Sequence, residues 1–175
     1  MKPAVTLLTA LLLAPLAPLR AAEPAFPLKL SENRRHLVDQ RGAPFLYQAD
    51  TPWMLFVKLT EAEAKEYIAA RKAQGFNALQ VMLTGFLGMT NRVGDLPFAG
   101  VPPEQDFAQP NEAFFAHVDR VVEEARRQGV LLAIAPAWSD CCGVGWAGKE
   151  KDGTPKPMNK NGAEKVREFG RWLGQ

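Results

Sequence analysis

Two tryptophans and two aspartates directly follow apolar segments of the chain. Asp50 and Trp53 follow one such segment, and Trp138 and Asp140 follow another. A tryptophan ring can stack on the C–H face of a pyranose or furanose, and a carboxylate can accept hydrogen bonds from sugar hydroxyls. An aromatic side chain beside a carboxylate, repeated at two places, is typical of a site that binds a sugar.

The apolar segments predict the strands that would position these side chains. Residues 45–49, 78–83 and 130–135 each form an apolar run, which predicts strands buried on both faces in a parallel α/β sheet. Ligands bind at the carboxyl ends of such strands. Gln80 interrupts the second run, and two interpretations are open, a binding residue or a hydrogen-bonded core amide. The predicted substrate-binding residues are Asp50, Trp53, Gln80, Trp138 and Asp140.

Helices are predicted between and after these strands. Each begins at a capping residue, namely Thr60 with Glu63, Asn111, and Asn161 with Glu164. Gly75 and Gly129 are placed to end the first two helices, one or two residues before the next strand.

The connections between these elements are of two lengths. Those from helix to strand are very short, whereas those from strand to helix run from about residue 84 to 110 and from about 137 to 160. Long loops on one rim favour a (β/α)8 TIM barrel, with a flavodoxin-like open sheet as the alternative. A barrel needs about 250 residues and eight units. We therefore expect an incomplete barrel over residues 45–175, with about three N-terminal βα units. A complete small α/β domain is the alternative.

The segment before the barrel has two predicted parts. Residues 1–22 carry Lys2, an uncharged apolar stretch and small residues, which is typical of a signal peptide and predicts export to the periplasm or the medium. An uncleaved anchor is the alternative. Residues 23–44 predict a Pro-rich lead-in and a small β-hairpin that turns at Arg41 and Gly42.

Charge and cysteine content narrow the possible partners. The chain has 21 basic and 19 acidic residues, and Lys2 and Arg20 lie within residues 1–22, so the rest is balanced. Neither nucleic acid nor a membrane is an expected partner of the mature chain. Cys141 and Cys142 are expected to be loop thiols, and no metal or cofactor is predicted.

Several further residues have an expected structural role. We expect His117 to pack on its helix. Trp146 could stack on a sugar ring, but it is a weaker candidate than Trp53 or Trp138. A loop carries three acids that predict a solvated rim, with calcium binding as the alternative: Asp95, Glu104 and Asp106.

An ordered set of short segments resembles the opening of the apiosidase-like glycoside hydrolases. These segments are LSEN at 30–33, LVDQ at 37–40, GAPF at 42–45, ADTPW at 49–53, QGFN at 74–77, GDLP at 94–97, PNEAFFAHVD at 110–119 and PAWSD at 136–140. The resemblance implies a TIM barrel, export from a bacterium and action on glycosides of complex plant or microbial polysaccharides. It also implies that both catalytic carboxylates lie beyond Gln175, so no catalytic residue is assigned.

Three other interpretations stay open at this point. The chain could be a non-catalytic carbohydrate-binding or pseudo-enzyme module. Asp50 and Asp140 could themselves be an acid–base pair, because inverting glycosidases separate their carboxylates by roughly 6.5–9.5 Å. The isolated chain could also fail to fold, because the inner face of its sheet would have no partner.

Overall fold

The computed structural model describes residues 22–139 and 143–175, which form two compact units. The first unit extends to Phe45 and the second runs from Leu46 to Gln175. Among the described residues, no helix is long and apolar enough to cross a membrane.

The first unit contains a small antiparallel sheet. Strands β1 (Lys29–Leu30), β2 (Leu37–Val38) and β3 (Pro44–Phe45) pair in the order β1-β2-β3. The predicted hairpin is therefore a three-stranded meander. Its second turn lies at Arg41 and Gly42 as expected, because the Asp39 carboxylate accepts the amide N–H groups of Arg41 and Ala43, each at 2.9 Å. These bonds, together with one from the Ala25 amide, which has the largest effect, lower the pKa of Asp39 to about 2.

The second unit is built on a parallel sheet. Strands β4 (Ala49–Asp50), β5 (Ala78–Met82) and β8 (Leu131–Ala135) lie in the order β4-β5-β8, all parallel. The expected first strand over residues 45–49 is wrong. Phe45 belongs to β3, and Leu46 is 77% exposed, so only the end of this apolar run enters the parallel sheet.

Helices cover one face of the parallel sheet. Helix α1 (Leu55–Lys58) and helix α2 (Glu61–Ala73) connect β4 to β5, and α3 (Glu112–Arg127) precedes β8. The capping box of Thr60 and Glu63 and the Asn111 cap of α3 are both present, as the sequence predicts. The buried cluster between sheet and helices contains residues from β5 and from all three helices, including Leu55, Phe56, Ile68, Leu79, Val81, Phe114, Val118 and Val121.

A hairpin and a C-terminal helix complete the unit. Strands β6 (Phe98–Ala99) and β7 (Asp106–Pro110) are antiparallel, and β7 lies against helix α4 (Pro157–Leu173). The sequence predicted only a loop for the hairpin. Helical geometry breaks at Gly162, where φ is 71° and ψ is 177°.

Asn161 does not cap a helix as predicted. Its amide oxygen accepts the Phe107 N–H at 2.9 Å, and its amide nitrogen donates to the carbonyls of Gln105 and Pro157 at 2.8 Å. The side chain therefore ties α4 to strand β7, across 54 residues of sequence.

Candidate functional site

Trp53 lies at the carboxyl end of the parallel sheet. Asp50 pairs with Leu79 near the start of β5, and three residues later the Trp53 carbonyl accepts the amide N–H of Met82 at 3.0 Å. Met82 is the last residue of β5. The chain after β4 thus continues alongside β5, and Trp53, rather than Asp50, reaches the edge where ligands bind in parallel sheets.

Trp138 follows strand β8 and meets Trp53 at this edge. The two ring centroids are 4.7 Å apart and the ring planes are inclined by 78°. Phe86, which follows β5, contacts Trp138 edge-to-face at 6.4 Å. We call Trp53, Phe86 and Trp138 the aromatic rim. Each of the three parallel strands contributes one aromatic side chain to it.

Phe86 is the member of the rim that was not predicted. The backbone before it continues along β8, because the Leu83 N–H donates to the Ala135 carbonyl at 2.9 Å. Gly85 then turns with φ 66°, and a Cβ there would lie 3.2 Å from Val57 Cγ1. An aromatic residue placed just after a buried strand is the signal that identified Trp138, and it would also have found Phe86.

Asp50 lies away from the aromatic rim, on the helix side of the sheet. Tyr67 and Arg71 of α2 hold its carboxylate through a hydrogen bond of 2.5 Å and an ion pair of 2.6 Å. The Tyr67 hydroxyl is the main cause that lowers the pKa of Asp50. Asp50 is the last residue of β4, at a strand end as the sequence predicts, but its carboxylate is held by helix α2, and its role in binding substrate stays a prediction. The alternative of an acid–base pair of Asp50 with Asp140 stays untested, because Asp140 lies outside the described residues.

Gln80 lies on the face of β5 opposite the helices. Leu79 and Val81 belong to the buried cluster, whereas Gln80 between them is exposed. The interpretation as a core amide is therefore wrong, and the binding role of Gln80 stays a prediction. Asp140, Cys141 and Cys142 lie outside the described residues, so their expected roles also stay predictions.

Trp146 is a core residue and not a surface for stacking. Its side chain is fully buried, and its indole N–H donates to the Gly85 carbonyl at 3.0 Å. The stacking interpretation of Trp146 is wrong. His117 is half-buried on α3, and burial is the main cause that lowers its pKa, as expected for a histidine packed on its helix.

The acidic residues of the long β5–α3 loop are engaged by neighbouring side chains. Asp95 accepts the Asn91 amide at 3.0 Å, Asp106 pairs with Lys165 at 2.7 Å, and Glu104 pairs with Lys160. Within the part of the chain that the structure describes, no group of three or more His, Cys, Asp or Glu residues could hold a metal ion. The chemistry that the described site supports is stacking of a ring on aromatic side chains.

The chain matches the model of a known family. The family model described as "Apiosidase-like, catalytic domain" matches residues 31–175. A comparison with curated proteins found no match.

Two solved structures show the same fold. One, named glycoside hydrolase, is 20% identical with a TM-score of 0.64, and the match covers 83% of this chain and 30% of that chain. The other is a glycoside hydrolase family 5 protein from Bacteroides vulgatus ATCC 8482, 19% identical with a TM-score of 0.62. That match covers 83% of this chain and 29% of the other. The chain thus spans less than a third of the length of these two structures.

Proposed function

Because the chain belongs to the apiosidase-like catalytic-domain family, we propose that it forms the sugar-binding N-terminal part of an exported glycoside hydrolase. The observation that supports this proposal most directly is the aromatic rim. Trp53, Phe86 and Trp138 meet at the edge of a parallel sheet where ligands bind in α/β proteins. The substrate we propose is a glycoside of a complex plant or microbial polysaccharide.

The fold that supports this function is an incomplete (β/α)8 barrel. The strand order β4-β5-β8 follows the chain, with α2 and α3 in the connections, as in consecutive βα units. Beside β8 lies an apolar groove of about 530 Å³, lined by residues that include Leu83, Phe115, Val118, Val122, Ile134 and Trp172. Ile134 is 38% exposed there. A further βα unit would cover this groove.

The catalytic carboxylates would come from outside residues 1–175. Glycoside hydrolases use one carboxylic acid to protonate the leaving oxygen, and a second carboxylate as nucleophile or base. Asp50, Glu104 and Asp106 are each held in an ion pair with a cation, as described above. We propose that this chain binds and orients the sugar while other residues break the bond, and that residues 1–22 direct export.

A non-catalytic carbohydrate-binding module is the second candidate. It rests on the same aromatic rim and is compatible with the ion pairs of these three carboxylates. Both candidates require the aromatic rim to contact sugar, and they differ in whether a bond is broken.

The proposal can be tested in three steps. The chain is produced with residues 1–22 in a bacterial host, and the mass of the secreted product shows whether this segment is removed. The purified chain is then melted by circular dichroism and titrated with oligosaccharides from plant and microbial polysaccharides. Finally, the polypeptide encoded by the complete reading frame is assayed for sugar release.

The outcomes separate the candidates. Binding by the chain together with sugar release by the complete polypeptide supports the hydrolase, and binding without release supports the module. A chain that melts cooperatively and binds no oligosaccharide of the panel contradicts both.

A further inference from the structure

Trp146 is hydrogen-bonded to two loops that carry members of the aromatic rim. One loop follows β5 and carries Phe86, and the other follows β8 and carries Trp138. Its backbone N–H donates to the Trp138 carbonyl at 2.8 Å, and its indole N–H donates to the Gly85 carbonyl at 3.0 Å. Gly85 directly precedes Phe86. A single residue therefore holds the backbone at Trp138 and the backbone next to Phe86.

The ring of Trp146 is itself held by contacts with the β6–β7 hairpin. Phe98 of β6 and Phe107 of β7 contact the ring at centroid distances of 5.6 and 5.7 Å. The carbonyl of Trp146 also accepts the Met158 N–H of α4 at 2.9 Å. A side chain that is packed on several sides can hold the groups to which it is hydrogen-bonded in a fixed position.

Trp138 depends on this support for its own position. Its indole N–H is buried with no hydrogen-bond partner among the described residues. The ring is therefore held by its contacts with Trp53 and Phe86 and by the backbone bond from Trp146. A shift of either loop would change the distances between these rings.

We propose that Trp146 is a positioning residue that sets the spacing of Phe86 and Trp138 and thereby the affinity of the aromatic rim for a sugar. It touches no ligand and acts through the two loops. The claim that Trp146 affects sugar affinity rests on the proposed function. The claim that Trp146 sets the spacing of the rings does not depend on any ligand.

The test uses a signal that needs no ligand. Of the four tryptophans, Trp53 and Trp138 are the pair in ring contact, and two indoles this close produce an exciton couplet in the far-ultraviolet circular dichroism spectrum. Trp53→Phe identifies that couplet by abolishing it. Trp146→Phe removes the indole N–H and keeps an aromatic ring in the core.

The matched control is Trp172→Phe. Trp172 packs on Phe115 and Phe169 in helix α4 and takes no part in the aromatic rim. Both variants lose one tryptophan from an aromatic cluster. Loss of the indole bond frees Gly85 and with it Phe86, which packs on Trp138. We therefore expect Trp146→Phe to reduce the couplet and to bind oligosaccharide about tenfold more weakly, with both values unchanged in Trp172→Phe.

The results separate the proposal from the proposed function. A couplet of full amplitude in a folded Trp146→Phe variant overturns the positioning role. A reduced couplet in a protein whose wild type binds no sugar leaves the positioning role standing and removes the proposed function.

A second variant covers the case in which Trp146→Phe does not melt cooperatively. Benzothienylalanine at position 146 has nearly the shape of tryptophan and carries a sulfur atom, which donates no hydrogen bond, in place of the indole N–H. A reduced couplet in that variant supports the role, and a couplet of full amplitude contradicts it.

Discussion

The Tyr67 hydroxyl donates a hydrogen bond of 2.5 Å to the Asp50 carboxylate, which fixes the start of the parallel sheet to helix α2. Arg71, one turn further along α2, adds an ion pair to the same carboxylate and lies 4.8 Å from the centre of the Tyr67 ring. The three side chains form a structural cluster on the helix side, and its main effect should be on stability.

Asp50→Asn should destabilise the chain by about 1 kcal/mol at neutral pH, because the ion pair with Arg71 is lost. The folded state lowers the pKa of Asp50 from its usual 3.8. As pH falls, the Asp50 carboxylate is therefore protonated in the unfolded chain before it is protonated in the folded chain. The charged carboxylate contributes its full stability above pH 3.8, and this contribution is lost as pH falls through the lower pKa of the folded state. Thermal melts should show a difference between wild type and variant that shrinks in this acid range.

Glu66→Gln is the control for this change, because Glu66 is an exposed acid on the same helix. We expect it to melt like the wild type. Equal melting of Asp50→Asn and wild type at neutral pH would contradict a stabilising role for the cluster.

Asn161→Ala should cost about 1–3 kcal/mol, because it leaves the Phe107 N–H and the Gln105 carbonyl without their partner. Urea unfolding measures this loss. Glu164→Ala is the control, since Glu164 would be the partner of Asn161 only if Asn161 capped a helix. A cost for Glu164→Ala as large as that for Asn161→Ala would restore the capping interpretation.

Gly100→Ala should be more destabilising than Gly153→Ala. Both glycines have a left-handed φ, 90° and 88°, but a Cβ at Gly100 would lie 2.6 Å from the Glu104 carbonyl oxygen, whereas nothing lies within 4 Å at Gly153. We expect about 1 kcal/mol for Gly153→Ala from backbone strain alone, and at least ~2 kcal/mol more for Gly100→Ala. Differential scanning calorimetry of the two variants gives the comparison. Equal melting temperatures would contradict the prediction, because they would show that the backbone near Glu104 can move away from the added Cβ without loss of stability.

Trp138→Ala should weaken binding of an oligosaccharide by about tenfold or more, which is ~1.4 kcal/mol. The reason is the loss of the ring that Trp53 and Phe86 hold at the edge of the sheet. Isothermal titration with a neutral oligosaccharide provides the measurement. Trp138→Phe should retain part of the affinity because a ring remains, and unchanged affinity in Trp138→Ala would exclude the aromatic rim as the sugar site.

Local signals in the sequence predicted the elements that local chemistry determines. The Thr60 and Asn111 caps and the turns at Gly75 and Gly129 are all present, because each depends on residues within one helical turn. The parallel pairing of β5 with β8 also follows from their apolar runs.

Features that depend on distant contacts could not be predicted in the same way. Asn161 has the residue type and spacing of a cap, but its partners, Phe107 on β7 and Gln105 just before it, lie 54 and 56 residues away. Asp50 follows an apolar run, yet the register with β5 places it beside Leu79 and below the edge of the sheet. Of the aromatic rim, Trp53 and Trp138 were predicted as site residues, and Phe86 carries the same local signal, an aromatic residue just after a buried strand.

The bonds that join the two rim loops also affect the thermodynamics of binding. Ala147 donates to the Ser139 carbonyl and Leu87 donates to the Val144 carbonyl, in addition to the bonds of Trp146. Residues already fixed in this way lose little conformational entropy when a ligand arrives. The entropic cost of association should then come mainly from the glycosidic torsions of the sugar, so conformationally restricted oligosaccharides should bind more tightly than flexible ones of the same composition.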